Sequence, residues 1–209
     1  MKTKSSVLIV LITLALLLFN SISAQETKTL MGSDTDISFI WGLDLKTASI
    51  KGDLGIGYDF YGGALLNNSI LLGIAAGLNI THPKLNQGNF ALFGQYTYKP
   101  ENVLHYSGQL LLGTGSVKGY EREKSSAFDN LGNVTGPGFY FIEPGINVEF
   151  NLTTKSRLLI GLSYRYVTGL DEITFQQIND ATGDYKEFSY DDTDLSTLYF
   201  NIGVKVGKY

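Results

Sequence analysis

Residues 158–168, Leu158-Leu159-Ile160-Gly161-Leu162-Ser163-Tyr164-Arg165-Tyr166-Val167-Thr168, alternate with a period of two. Leu158, Ile160, Leu162, Tyr164 and Tyr166 share one face, and Gly161, Ser163 and Arg165 share the other. A strand puts successive side chains on opposite faces, so this stretch reads as a strand with one greasy side and one small or polar side. Seven further stretches repeat the pattern, and the eight together predict strands over 36–45, 52–65, 69–80, 89–98, 104–117, 138–151, 157–168 and 195–208. The apolar faces carry no charged residue. Charges fall on the opposite set, which includes Asp44, Asp53, Asp59, Glu143, Glu149, Arg165 and Lys205.

Connection lengths separate the architectures that eight such strands could build. The first, third, fifth and seventh gaps hold six, eight, 20 and 26 residues, and the intervening ones hold three, five and five. Long loops at one end and tight turns at the other fit a membrane barrel better than a soluble sandwich. Strands cross hydrocarbon only as a closed barrel, because every backbone group must be paired there. Tyrosine and phenylalanine also gather near both ends of the strands, as interfacial belts do. The expected fold is all-β, an eight-stranded antiparallel up-and-down transmembrane barrel.

Composition agrees with that choice. Of 209 residues, 44% are hydrophobic and only 17% charged, with 24 glycines, 13 tyrosines and 12 phenylalanines, which excludes disorder and coiled coil. Cysteine is absent and the histidines are His82 and His105, so no disulfide framework, cofactor or metal centre is expected. The net charge of −4 argues against a nucleic-acid partner. At the N-terminus, Lys2 and Lys4 precede the apolar run Val7–Phe19 and the small and polar stretch Asn20–Gln25. This reads as a secretory signal over 1–24, cleaved after Ser23 or Ala24, followed by one barrel domain over 25–209.

Several stretches resemble the small outer-membrane β-barrel proteins of the Bacteroidota: Phe141–Thr153, Gly161–Gly169, Val204–Tyr209, and Gly52–Gly57 through Asn67–Ser69. The resemblance implies a porin-like family, an integral outer-membrane location, contact with outer-membrane lipid and lipopolysaccharide, and delivery to the barrel assembly machinery through the last strand. Tyr209 lies on the parity opposite to Val206, Val204 and Ile202, so a bulge near Gly207 is expected to turn it toward lipid.

Inside an eight-stranded barrel the side chains nearly fill the lumen. If the turn centres on Thr154, Glu143 faces Arg165 across neighbouring strands, as a structural ion pair or as a gate. The expected function is a monomeric porin-like or structural barrel with at most a narrow, cation-favouring passage lined by Glu143, Glu149, Arg165 and Lys205. An alternative is a surface binding or adhesion barrel acting through loops 118–137 and 169–194. The second of these loops holds Asp171, Glu172, Asp180, Asp184, Glu187, Asp191, Asp192 and Asp194 against Lys186, a solvated cluster or a seat for divalent cations. His105 and Ser107 face inward two residues apart, the minimum for a lipid A-modifying hydrolase. Their expected place near the tight turns, away from an outer-leaflet acyl chain, favours plain hydrogen bonding, with Thr97 as a candidate partner, and no catalytic residue is assigned.

Overall fold

The computed structural model describes residues 36–81, 85–119, 136–178 and 182–209. The signal segment, His82, Asp180 and most of loop 118–137 lie outside the described residues. Eight strands close into an antiparallel barrel: β1 (Ile37–Ile50), β2 (Asp53–Leu66), β3 (Ile70–Thr81), β4 (Leu85–Tyr98), β5 (Leu104–Gly119), β6 (Gly138–Thr153), β7 (Ser156–Thr168) and β10 (Thr197–Gly207). Each strand pairs with its sequence neighbours in the wall, and β10 returns to β1. Between β7 and β10 the chain forms a separate hairpin, β8 (Ile173–Ile178) and β9 (Tyr185–Tyr190), and a single helical turn, α1 (Asp192–Leu195).

The strand register fixes the diameter. Followed around the wall, Ile37 pairs with Leu66, then Ile70, Tyr96, Gly108, Ile146, Leu162 and Phe200, and returns to β1 at Thr47, ten residues from where it began. That stagger over eight strands tilts them by about 40°, so each residue advances about 2.5 Å along the axis and ten residues cover a hydrocarbon layer of about 25 Å. The outward positions supply the matching belt. Phe39 is 79% exposed and Ile146 70% exposed, with Leu43, Leu54, Ile74, Leu92 and Val204 also outward on their strands. A belt of large apolar groups around the whole wall is the exterior of a barrel built to stand in lipid.

Three expectations need correction. β1 runs to Ile50, so the first six-residue gap is the two-residue turn Lys51–Gly52, with φ of 50° and 86°. Positive φ at both positions is the hairpin geometry that follows strand twist most closely. β4 begins at Leu85, which leaves only 82–84 before it. Thus only the last two connections at this end, the loop end, are long. Finally, no bulge turns Tyr209 outward: the β1–β10 register runs unbroken to Ile40 opposite Gly207, and Tyr209 continues the inward parity, stacking 3.6 Å from the Arg157 guanidinium.

The β6–β7 ladder is irregular at two places: its register shifts between Asn151 and Thr153 near the turn, and it breaks around Pro144. Ile142 pairs with Tyr166 and Gly145 with Ser163, while Pro144 and Tyr164 between them do not pair. Proline has no N–H to give the facing carbonyl, which is why it is rare inside a sheet.

Inward positions alternate large with small across strands. Gly77 stands opposite Asp59, Gly203 opposite Asp44, Gly42 opposite Tyr61, and Gly113 opposite Phe141. A Cβ at Gly77 would overlap Asp59 Oδ1 and lie 2.7 Å from the Tyr58 carbonyl, whereas one at outward-facing Gly108 would meet nothing within 4 Å. Gly77→Ala should therefore cost about 1–3 kcal/mol of stability through overpacking. Gly108→Ala should be neutral or stabilise by about 0.4–1 kcal/mol, and urea titrations of the barrel folded into vesicles compare the two.

Candidate functional site in the barrel lumen

The inward faces bring eight charged side chains into the lumen: Asp44, Lys46, Asp59, Glu143, Glu149, Arg157, Arg165 and Lys205, none more than 4% exposed. Four are carboxylates and four are cations, which is how so many charges can lie in a narrow interior: a buried ion is tolerated when it is paired and hydrogen-bonded. They form two clusters, one at mid-wall and one nearer the tight turns.

In the mid-wall cluster, Arg165 Nε donates to Glu143 Oε2 at 2.7 Å, and Arg165 Nη2 lies 2.7 Å from the same oxygen. Register explains the meeting, since Ile142–Tyr166 and Gly145–Ser163 bracket the two residues on adjacent strands. Lys46 reaches from β1 across the lumen to lie 2.5 Å from Glu143 Oε1 and 2.5 Å from Asp59 Oδ2. Ser163 donates to Glu143 Oε1 at 2.8 Å. The Arg165 guanidinium packs 4.3 Å from the Phe141 ring and 5.2 Å from Tyr199, so aromatic faces cover its plane while the carboxylate takes its edge. Asp44 accepts from the Tyr61 hydroxyl at 3.3 Å.

The second cluster gathers on Glu149. Its Oε1 accepts from Ser107 Oγ at 2.5 Å, Gln95 Nε2 at 2.6 Å and Lys205 Nζ at 2.7 Å. Its Oε2 lies 3.3 Å from His105 Nε2 and 3.9 Å from Arg157 Nη1. His105 Nδ1 is 3.0 Å from the Asn102 carbonyl, so the partners of His105 are Asn102 and Glu149, and the contact expected with Thr97 is replaced by a Gln95–Thr97 bond. Ser107 and His105 both turn to the one carboxylate instead of to each other. A hydrolase needs the imidazole hydrogen-bonded to the hydroxyl it activates, and here that hydroxyl already donates to Glu149.

The acidic loop is more ordered than a solvated cluster. Asp191 caps α1 by accepting from the Asp194 N–H at 3.0 Å, and Asp194 accepts from the Asp191 N–H at 3.3 Å. The Asp192 carboxylate accepts from the N–H groups of Gly169 and Leu170 at 3.2 and 2.8 Å. Asp194 also pairs with Lys51 at 2.8 Å, which ties the loop to the β1–β2 turn. Asp171, Glu172, Asp184 and Glu187 point to solvent. No three His, Asp or Glu side chains among the described residues converge where they could hold a metal ion.

These contacts hold the β8–β9 hairpin and α1 over the loop end. Leu170, Ile173, Tyr190 and Leu195 are buried there with Ile50, Leu85, Val117, Phe139 and Val167, and Phe175 lies against Gly119. The lumen is thus stoppered by an apolar plug above its charged interior. Burial, with Asp53 and Asp194 nearby, pushes the Tyr190 phenol up to about 12.

Lys46 and Arg157 were not singled out from the sequence. The missed signal at Lys46 is an inversion of phase. Beyond Leu45 the outward residues become Thr47 and Ser49 and the inward ones Ala48 and Ile50, because the strand has left the lipid and its interior now faces the plug.

No protein-family model matches the chain, and no curated protein sequence does. Among solved structures it is similar to Neisserial surface protein A, with 11% identity over 83% of this chain and 99% of that one and a TM-score of 0.50. A major outer membrane protein from Thermus thermophilus aligns at 10% identity over 82% of this chain and 99% of that one, with a TM-score of 0.49. OprG from Pseudomonas aeruginosa aligns at 11% identity over 83% and 96%, with a TM-score of 0.42. At such identities the likeness to the Neisserial protein is one of fold.

Removing one member of a buried cluster leaves its partners uncompensated. Lys46→Met should cost about 3–5 kcal/mol, while Lys51→Met, removing an exposed pair, should cost no more than about 1 kcal/mol. Urea midpoints of the folded barrel measure the difference.

Proposed function

We propose that this chain is an integral outer-membrane barrel of the porin-like or structural type, closed along its axis by its own side chains. The observation that carries the reading is the pairing of a lipid-facing apolar belt with a charge-balanced, filled lumen. A wide aqueous channel does not fit eight strands so filled. Any conduction has to pass the Glu143–Lys46–Arg165 cluster and the Glu149–Lys205 pair, which makes Glu143, Arg165, Glu149 and Lys205 the residues whose rearrangement gates it. Three carboxylates, Asp44, Asp59 and Glu143, stand against Lys46 and Arg165 at mid-wall, so a small passage there would favour cations. The apolar plug beneath β8–β9 is the second obstacle, and it makes closure the resting condition.

Single-channel recording of the refolded mature protein in planar bilayers tests this. The expected record for wild type is silence or rare, small, cation-preferring steps. Glu143→Gln, with Lys46 and Arg165 facing a neutral amide, should raise the frequency of steps and weaken their cation preference. Large, steady, unselective conductance in the wild type would overturn the closed-lumen reading.

A further inference from the structure

The two buried arginines differ in a way that the ion pairs of the lumen do not absorb. Arg165 has its carboxylate at 2.7 Å. Arg157, only 2% exposed, has none within hydrogen-bond reach: Glu149 is 3.9 Å away and already accepts three short bonds from other groups. Arg157 Nε has no hydrogen-bond partner, and neither has the Tyr209 hydroxyl, whose ring lies 3.6 Å from the guanidinium carbon.

Both residues line a cavity of about 280 Å³ at the tight-turn end of the barrel, together with Asn68, Glu101, Asn151 and Thr153. The neighbouring polar groups are largely committed. Asn151 Nδ2 donates to the carbonyls of Pro100 and Asn102, and Thr153 Oγ1 accepts from the Lys155 N–H. Buried beside the cavity are therefore a guanidinium stacked on an aromatic ring and a phenol O–H, both with unpartnered donors. The buried charge beside it is also unbalanced, since Glu149 faces both Lys205 and Arg157, while Glu101 stands exposed at the cavity wall. A planar guanidinium with an unpartnered Nε–H, beside a buried pair of cations that share one carboxylate, recognises an oxyanion through paired N–H···O bonds.

We propose that the turn-end mouth of the barrel is a binding site for a small oxyanion, a carboxylate or a phosphate, held by Arg157 and Tyr209. This site does not depend on whether the lumen conducts.

The test uses the folded mature barrel in detergent micelles, titrated separately with acetate and inorganic phosphate at constant pH and ionic strength. The readouts are the Arg157 Nε–H resonance and calorimetric heat. The expected result is a saturable one-to-one shift with at least one of the two anions, and the tighter of them assigns the site to carboxylate or phosphoryl groups. Arg157→Gln should weaken binding by about tenfold or more, the loss of a charge-assisted pair. Glu101→Gln, which removes a like charge from the cavity wall, should tighten it severalfold. A response that chloride reproduces would mean ionic screening and overturn the site, as would a folded Arg157→Gln variant that binds unchanged. If Arg157→Gln does not fold, an unaltered affinity in Glu101→Gln overturns it.

Discussion

The ten-residue stagger of a closed eight-stranded ladder governs the rest of the structure. It sets the tilt, the tilt sets the bore, and a bore this narrow leaves no room for a water column beside large side chains. Glycine opposite several of the large inward groups, as at Asp59, Asp44, Tyr61 and Phe141, is one local answer to that geometry. The same closure settles the backbone: with β10 returned to β1 there is no free edge, and lipid meets side chains alone. Pro144 is the one described position at which the wall gives up a ladder bond within the belt, and it sits beside Glu143, where the lumen is most heavily braced.

The charges inside are arranged by reach as well as by register. Glu143 and Arg165 meet because their strands are adjacent, whereas Lys46 reaches across the lumen to Glu143 while also holding Asp59 on the neighbouring strand. Glu149 repeats the scheme nearer the turns with Lys205 and His105. Above both, the hairpin and its short helix close the loop end with apolar groups, held down by Lys51–Asp194 and by the Asp192 carboxylate on two backbone N–H groups. Acidic residues in this loop work as caps and clasps in addition to facing water.

Alternation made the lipid-immersed part of each strand legible from sequence, since hydrocarbon imposes one rule on every outward position. The pairing of Glu143 with Arg165 followed from turn position because a two-residue period leaves little freedom once the turn is placed. Legibility ended where the lipid ended. Past Leu45 the pattern inverts, so β1 was cut short and Lys46 was lost with it. The hairpin β8–β9 is brief, with six residues in each strand and no long apolar alternation, and it is held by apolar contacts with barrel ends far away in sequence, such as Phe175 on Gly119. The alternation of Ile202, Val204 and Val206 already put Tyr209 on the inward parity, and the expectation that a bulge near Gly207 turns it to lipid fails because the register runs unbroken to that glycine. On the inward side Tyr209 stacks on Arg157, which lies 52 positions earlier.

Lys46 has a consequence for how the barrel reaches its final form. It sits on the first strand, while its two carboxylates sit on the second and the sixth, and Lys205 on the last strand answers Glu149 on the sixth. A partly assembled sheet, curled but unsealed, would hold Glu143 and Glu149 in or near lipid without their full complement of cations. Such intermediates lie high in free energy relative to both the unfolded and the closed chain. Insertion and closure are thereby fused into a single cooperative event, in which the seam between first and last strands and the neutralisation of the interior are completed together.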